Sequence, residues 1–142
     1  MSTVFTRIIE GEIPGRFVWN DDDVVAFLSI GPLADGHTLV VPREEVDRWT
    51  DASPDLLTKV MLVAQRIGQA QVDAFEVERA GMIIAGFEVH HLHVHVWPAT
   101  SEAEFNFQRS QHDPDPAAMD AAAERLRRAL RDAGHGQFVP ES

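Results

Sequence analysis

At 142 residues, with 44% apolar and 25% charged residues, the chain fits one domain able to bury a core without covalent staples. Its formal charge of −11 works against binding the backbone of nucleic acid or an anionic lipid surface, yet still permits a small phosphorylated ligand in one locally favourable pocket. The sequence has no cysteine, no secretory leader pattern and no apolar run near the roughly 20 residues of a membrane span, so the expected location is the cytoplasm.

No internal repeat or low-complexity segment interrupts the chain. Apolar residues at 4, 5, 8 and 9 predict a short helix, stopped by Gly11, and Pro14-Gly15 marks a turn. Phe17 to Trp19, Val24 to Ile30 and His37 to Val41 read as strands, punctuated by an acidic turn at 20–23 and by Gly31-Pro32. Ser53-Pro54-Asp55 supplies a capping hydroxyl, a first-turn proline and an acid at the positive dipole end. The stripe that follows is Leu57, Val60, Met61, Ala64, Ile67, Gln71, Ala74 and Phe75, one long core-facing helix with a single polar member. Met82 to Ala85 and Leu92 to Trp97 are the last two predicted strands. The polar stretch 101–115 reads as a loop with Phe105 and Phe107 as anchors. Asp115-Pro116 then opens a C-terminal helix with the stripe Met119, Ala122, Leu126, Ala129 and Ala133, ended by Gly134. Helices and strands mix without a βαβ rhythm, which makes the class α+β, and residues 101–142 are expected to pack on the same domain as residues 1–100.

Four of the seven histidines fall within six residues, in His90-His91-Leu92-His93-Val94-His95. On an extended segment, side chains alternate, so His91, His93 and His95 share one face while Leu92, Val94 and Val96 point to the other. Three adjacent imidazoles stabilise little, because they repel when charged and crowd when neutral. Two chemistries use this spacing: convergence of neutral rings on a metal ion, and nucleophilic plus acid–base work on phosphorus. Glu88 is the nearest carboxylate to complete a metal shell, and spacing alone leaves both readings open. His90 should face away from His91.

His91-Leu92-His93-Val94-His95-Val96-Trp97 resembles the signature of the histidine-triad family, in which histidines alternate with apolar residues. Three further blocks resemble that family in the same order: Phe5 to Pro14, Asp21 to Phe27, and Gly36-His37-Thr38-Leu39-Val40-Val41-Pro42. The resemblance implies a five-stranded antiparallel sheet with flanking helices, usually as a homodimer, and a nucleotide as the small-molecule partner. It implies that His93 attacks the α-phosphorus to form a nucleotidyl-histidine, that His95 contacts the phosphate and assists the leaving group, and that His91 supports the central ring. His37 matches a histidine behind the triad, with core filler as its alternative. Phe5, Ile8, Phe27, Leu28, Ser29 and Ile30 match the nucleoside pocket, although the apolar members would serve equally well as core. No cofactor and no metal are implied.

The sequence departs from the family at four places. Ser29 stands where an aspartate often holds the ribose, Ala85 where an asparagine is common, and Gly86-Phe87-Glu88 replaces a small polar turn. Thr3 and Thr6 stand where zinc-binding relatives carry cysteines, and Glu45 where they carry a histidine, so a structural zinc of that type is not expected. Three readings follow: a nucleotide hydrolase or transferase, a catalytically weak binding or sensor protein on the same scaffold, and a hydrolase using the three histidines as metal ligands.

Overall fold

The computed structural model describes residues 2–141. Helix α1 (Val4–Ile9) is followed by strands β1 (Phe17–Asn20), β2 (Val24–Leu28) and β3 (Thr38–Pro42). The long helix α2 (Pro54–Phe75), strands β4 (Arg79–Ile83) and β5 (Val94–Ala99), and helix α3 (Pro116–Leu130) complete the chain. All neighbouring strand pairs are antiparallel, in the order β1-β2-β3-β5-β4. The class is α+β, as the sequence suggests.

Alternation divides the sheet into two chemically different faces. Val24, Ala26 and Leu28 of β2, Val40 of β3, and Val94 and Val96 of β5 point to one side, where Val60, Val63, Ala64 and Ile67 of α2 meet Met119, Ala122, Leu126 and Leu130 of α3. The C-terminal helix therefore shares the core of the sheet. On the opposite face Val25, Phe27, Leu39 and Val41 form a smaller cluster with Phe5 of α1. The histidines line up beside that second cluster.

α2 begins as its sequence dictates. The Ser53 hydroxyl accepts the Leu56 N–H with Pro54 in the first turn, and the helix stops at Glu76 in a left-handed conformation (φ 54°). Its polar stripe member, Gln71, is completely buried. The Gln71 amide donates to the carbonyls of Gly36 (2.9 Å) and Val96 (2.8 Å), joining the turn before β3 to β5 from behind. Gly36 adopts φ +88°, and the Phe75 ring lies 2.6 Å from where a Cβ would sit, so neither the turn nor the packing admits a side chain.

Several element limits differ from the sequence reading. β2 ends at Leu28, because the chain turns through Ser29 and Pro32 toward His37, which leaves Ser29 and Ile30 outside the ladder. β5 begins only at Val94, so His91 and His93 precede the ladder in an irregular segment. β4 lies earlier than expected and does not reach Ala85. Ala133 leaves the buried stripe, since the helix widens over Arg131–His135 around Gly134 at φ +95°. Among the described residues, no helix is long and apolar enough to cross a membrane.

Replacing Gln71 by Met keeps the volume and removes both donations, each bond contributing about 0.5–1.5 kcal/mol, while the Gly36 carbonyl keeps the Thr38 hydroxyl as a donor at 2.8 Å. Chemical denaturation of Gln71→Met should show a loss of roughly 1–3 kcal/mol. An unchanged midpoint would mean that the two bonds do not hold the strands together.

Candidate active site

Each ring in the histidine cluster is oriented by main-chain groups whose donor or acceptor character is fixed. His93 Nδ1 lies 2.7 Å from the carbonyl of His91. A carbonyl only accepts, so the proton sits on Nδ1 and the Nε2 lone pair is left for an electrophile. The Leu33 N–H donates to His37 Nδ1 at 2.9 Å, which places the His37 proton on Nε2, and that proton is donated to His95 Nδ1 at 3.0 Å. His95 therefore carries its own proton on Nε2. The His93 and His95 rings meet edge to face with centroids 5.0 Å apart, so the ring that keeps a free lone pair neighbours the ring that keeps a free N–H. His91 Nε2–H donates to the carbonyl of Pro42 at 2.7 Å.

Burial keeps these rings neutral. His37 is pushed down to about 3 by burial and then by the neighbouring His95. His95 is pushed down to about 4 by burial and then by His93. Burial also holds His93 below the usual histidine range, against the opposing effect of its bond to the His91 carbonyl. A neutral His93 near pH 7 keeps its nucleophilic lone pair.

The remaining predicted residues separate into three groups. Phe5 packs edge-on against Phe27 (5.7 Å) and His93 (4.8 Å), and Ile8 lies against the same cluster, so these three form an apolar wall next to His93. Ser29 is buried just beyond β2, with its Oγ accepting the Gly31 N–H at 3.1 Å and its own proton available to a ligand. Leu28 does not join the wall: strand alternation turns it away from Phe27 into the core under α2 and α3. Ile30 is 82% exposed.

Glu88 and His90 are both exposed, and Phe87 is 91% exposed. A cavity of about 160 Å³ lies between Asp47–Thr50 and Ala85–Gly86, with Leu92 and His93 on its wall. The methyl group of Ala85 offers it no polar contact. The loop after β5 also contributes. Phe107 stands 4.6 Å from the His95 ring and Phe105 4.6 Å from Trp97, while Gln111 N–H donates to the Pro32 carbonyl. The sequence marks both phenylalanines as anchors without showing that one of them covers a site histidine.

Two sets of partners escape sequence reasoning. The Leu33 N–H and the Pro42 carbonyl are main-chain groups, to which no residue type points. Thr3, Thr6 and Glu45, distinguished in the sequence only as departures, gather around His91, with Thr3 Oγ1 2.6 Å from His91 Nδ1. His91 could ligate a metal ion through Nδ1 only by giving up its hydrogen bond with the Thr3 hydroxyl, whereas the Nε2–H bond to the Pro42 carbonyl could stay in place.

Residues 10–102 match the family model described as HIT domain. An uncharacterized HIT-like protein of Mycobacterium tuberculosis, Rv1262c, is 32% identical over 138 residues, covering 92% of this chain and 94% of that protein. Adenosine 5'-monophosphoramidase HNT1 of Saccharomyces cerevisiae is 34% identical over 100 residues, 70% of this chain and 63% of that enzyme. Among solved structures, a zinc-bound histidine triad family protein from Mycobacterium smegmatis superposes with a TM-score of 0.81 at 28% identity, covering 96% of this chain and 98% of that one.

The depressed histidines make folding acid-sensitive. Between about 3 and the ordinary value of 6.5, the unfolded chain binds a proton at residue 37 that the folded chain refuses, so stability rises with pH across that window. The thermal midpoint should fall steadily from pH 6.5 to 4, and His37→Gln should flatten part of that slope while lowering the midpoint at pH 7. Identical slopes in the two proteins would show that His37 titrates normally.

Proposed function

The chain belongs to the histidine-triad (HIT domain) family, and from that premise we propose that it is a nucleotide hydrolase or nucleotidyl transferase working through His93. One observation carries the reading: the His93 ring is held by its Nδ1–H, with Nε2 unprotonated beside the Nε2–H of His95. That pairing suits attack on a phosphate ester or amidate. The His93 lone pair would form a bond to the α-phosphorus as the bond to the leaving group breaks, with the His95 N–H stabilising the negative charge on the transferring group. Water, or an acceptor in a transferase, would then displace His93 and release the nucleotide.

The wall of Phe5, Ile8 and Phe27 suits a nucleobase, and Ser29 offers the ribose a neutral hydroxyl in place of a carboxylate. The resemblance to a yeast phosphoramidase supports nucleoside phosphoramidates as first candidates, with nucleotide phosphosulfates and dinucleotide polyphosphates next. The free edge of β4 supports a homodimer extending the sheet. We place the protein in the cytoplasm on its composition.

A second reading, a nucleotide sensor with little turnover, draws on Ser29 and Ala85, because both positions give a phosphorylated ligand fewer charged or polar contacts than the family pattern supplies. The two readings separate experimentally. Incubation with adenosine phosphoramidate and several dinucleotides, followed by trapping of an acid-labile nucleotidyl-protein, should give turnover that falls roughly 10³-fold or more in His93→Ala. His95→Asn, which keeps a donor but changes its geometry, should lose about 10²-fold. Calorimetric binding without turnover would favour the sensor. Absence of turnover on every substrate, with His93→Ala indistinguishable from wild type, would refute the enzymatic reading.

A further inference from the structure

The carbonyl that orients His93 belongs to His91, which lies in the irregular stretch between β4 and β5. No strand ladder holds that carbonyl in place. The nearest main-chain tie is Leu92 N–H to the Val46 carbonyl at 2.7 Å. The other ties come from the His91 ring, which is completely buried and bonded at both nitrogens. Nε2–H donates to the Pro42 carbonyl, so in the neutral ring Nδ1 is an acceptor, and the group facing it is the Thr3 hydroxyl.

Thr3 has a single hydroxyl proton. At 2.6 Å His91 receives it in preference to Thr6 Oγ1, 3.3 Å away. Thr3 Oγ1 also accepts the Thr6 N–H, thereby capping α1. Both threonines then converge on one carboxylate: Thr6 O–H donates to Glu45 Oε1 at 2.5 Å, and Thr3 N–H donates to the same oxygen at 3.0 Å. These two bonds, the Thr6 hydroxyl foremost, hold the Glu45 carboxyl below its usual range, so the chain is anchored by an ionised group at pH 7.

We propose that Glu45, Thr6 and Thr3 are positioning residues for the nucleophile: through His91 they fix the carbonyl that keeps the His93 proton on Nδ1. The inference rests on the catalytic reading of His93 for its consequence, though not for its structural content. The same chain fastens α1, and with it Phe5, against the triad, so one set of hydrogen bonds sets both the ring and the apolar wall beside it.

Imidazole ¹⁵N spectra of the full chain without substrate, near pH 7.5, test the proposal directly. Wild type should show His91 as the Nε2–H tautomer and His93 as Nδ1–H. Thr3→Val should shift the His91 Nδ1 signal and mix the His93 tautomers, while Thr3→Ser should restore both. Because Thr3 also caps α1, Thr6→Val and Glu45→Gln are needed alongside it. They leave the cap in place and should move the same signals in the same direction. In turnover of adenosine phosphoramidate these variants should lose roughly tenfold in kcat, with KM within about twofold. Wild-type tautomers in both Thr6→Val and Glu45→Gln would overturn the proposal, as would a folded Thr3→Ser as impaired as Thr3→Val. The spectra need no turnover, so a protein inactive on every substrate would sink the catalytic reading while leaving the spectral result to decide this one.

Discussion

The Nδ1–H of His93 meets a main-chain carbonyl, and the Nδ1 of His37 meets a main-chain N–H. These two contacts determine where the protons of His93, His37 and, through His37, His95 sit, as the Pro42 carbonyl does for His91. An imidazole alone exchanges its tautomers freely, and three of them in a row would offer a changing mixture of donors and acceptors. Peptide groups cannot switch role. Fixing His93 from one side and His37 from the other forces His95 to be a donor where His93 is an acceptor. Burial supports this order, because it depresses all three rings and so prevents a proton from being taken up at the free Nε2.

The rest of the fold serves to keep those peptide groups still. Leu33 lies in the turn before β3, and that turn is tied from behind by the Gln71 amide, which also grips Val96 next to His95. A glutamine in the middle of an apolar helical stripe would be a defect if its amide were idle. Here it links the turn that leads into His37 to the strand that carries His95. On the opposite sheet face, the cluster of Phe27, Leu39 and Val41 gives α1 a surface on which to dock, and α1 brings Phe5 to His93. The large core of α2 and α3 and the small site-facing core thus do different work. One holds the strands in register, the other shapes the pocket.

Much of this is legible in the residues. Alternation over 91–96 predicts the facing of three rings correctly, because an extended segment alternates whether or not it is hydrogen-bonded in a ladder. The same rule, applied to Phe27-Leu28, would have turned Leu28 away from the pocket, where the resemblance alone placed it. Ser53-Pro54 fixes the start of α2 because capping is local. Strand ends are less visible, since they depend on which partner strand runs out first, as at Ser29 and at His93. Least legible are Leu33 N–H, the Pro42 carbonyl and the Thr3–Glu45 link. The first two have no side-chain signature, and the third spans 42 residues that only tertiary structure brings together.

The departures at Ser29, Ala85 and Glu88 leave the proton arrangement untouched. None of them contributes a hydrogen bond to the four imidazoles, whose partners are Leu33, His91 and Pro42 in the main chain, Thr3, and one another. Ser29 and Ala85 stand at positions where the family pattern grips the sugar and the phosphate. On the proposed reading, changing them alters how strongly and how selectively a nucleotide is held, because charged or polar contacts are replaced by a neutral hydroxyl and a methyl group. It does not alter where the lone pair of His93 points. On the catalytic reading proposed above, such a scaffold can vary its substrate while keeping its chemistry, since affinity and the orientation of His93 depend on different residues.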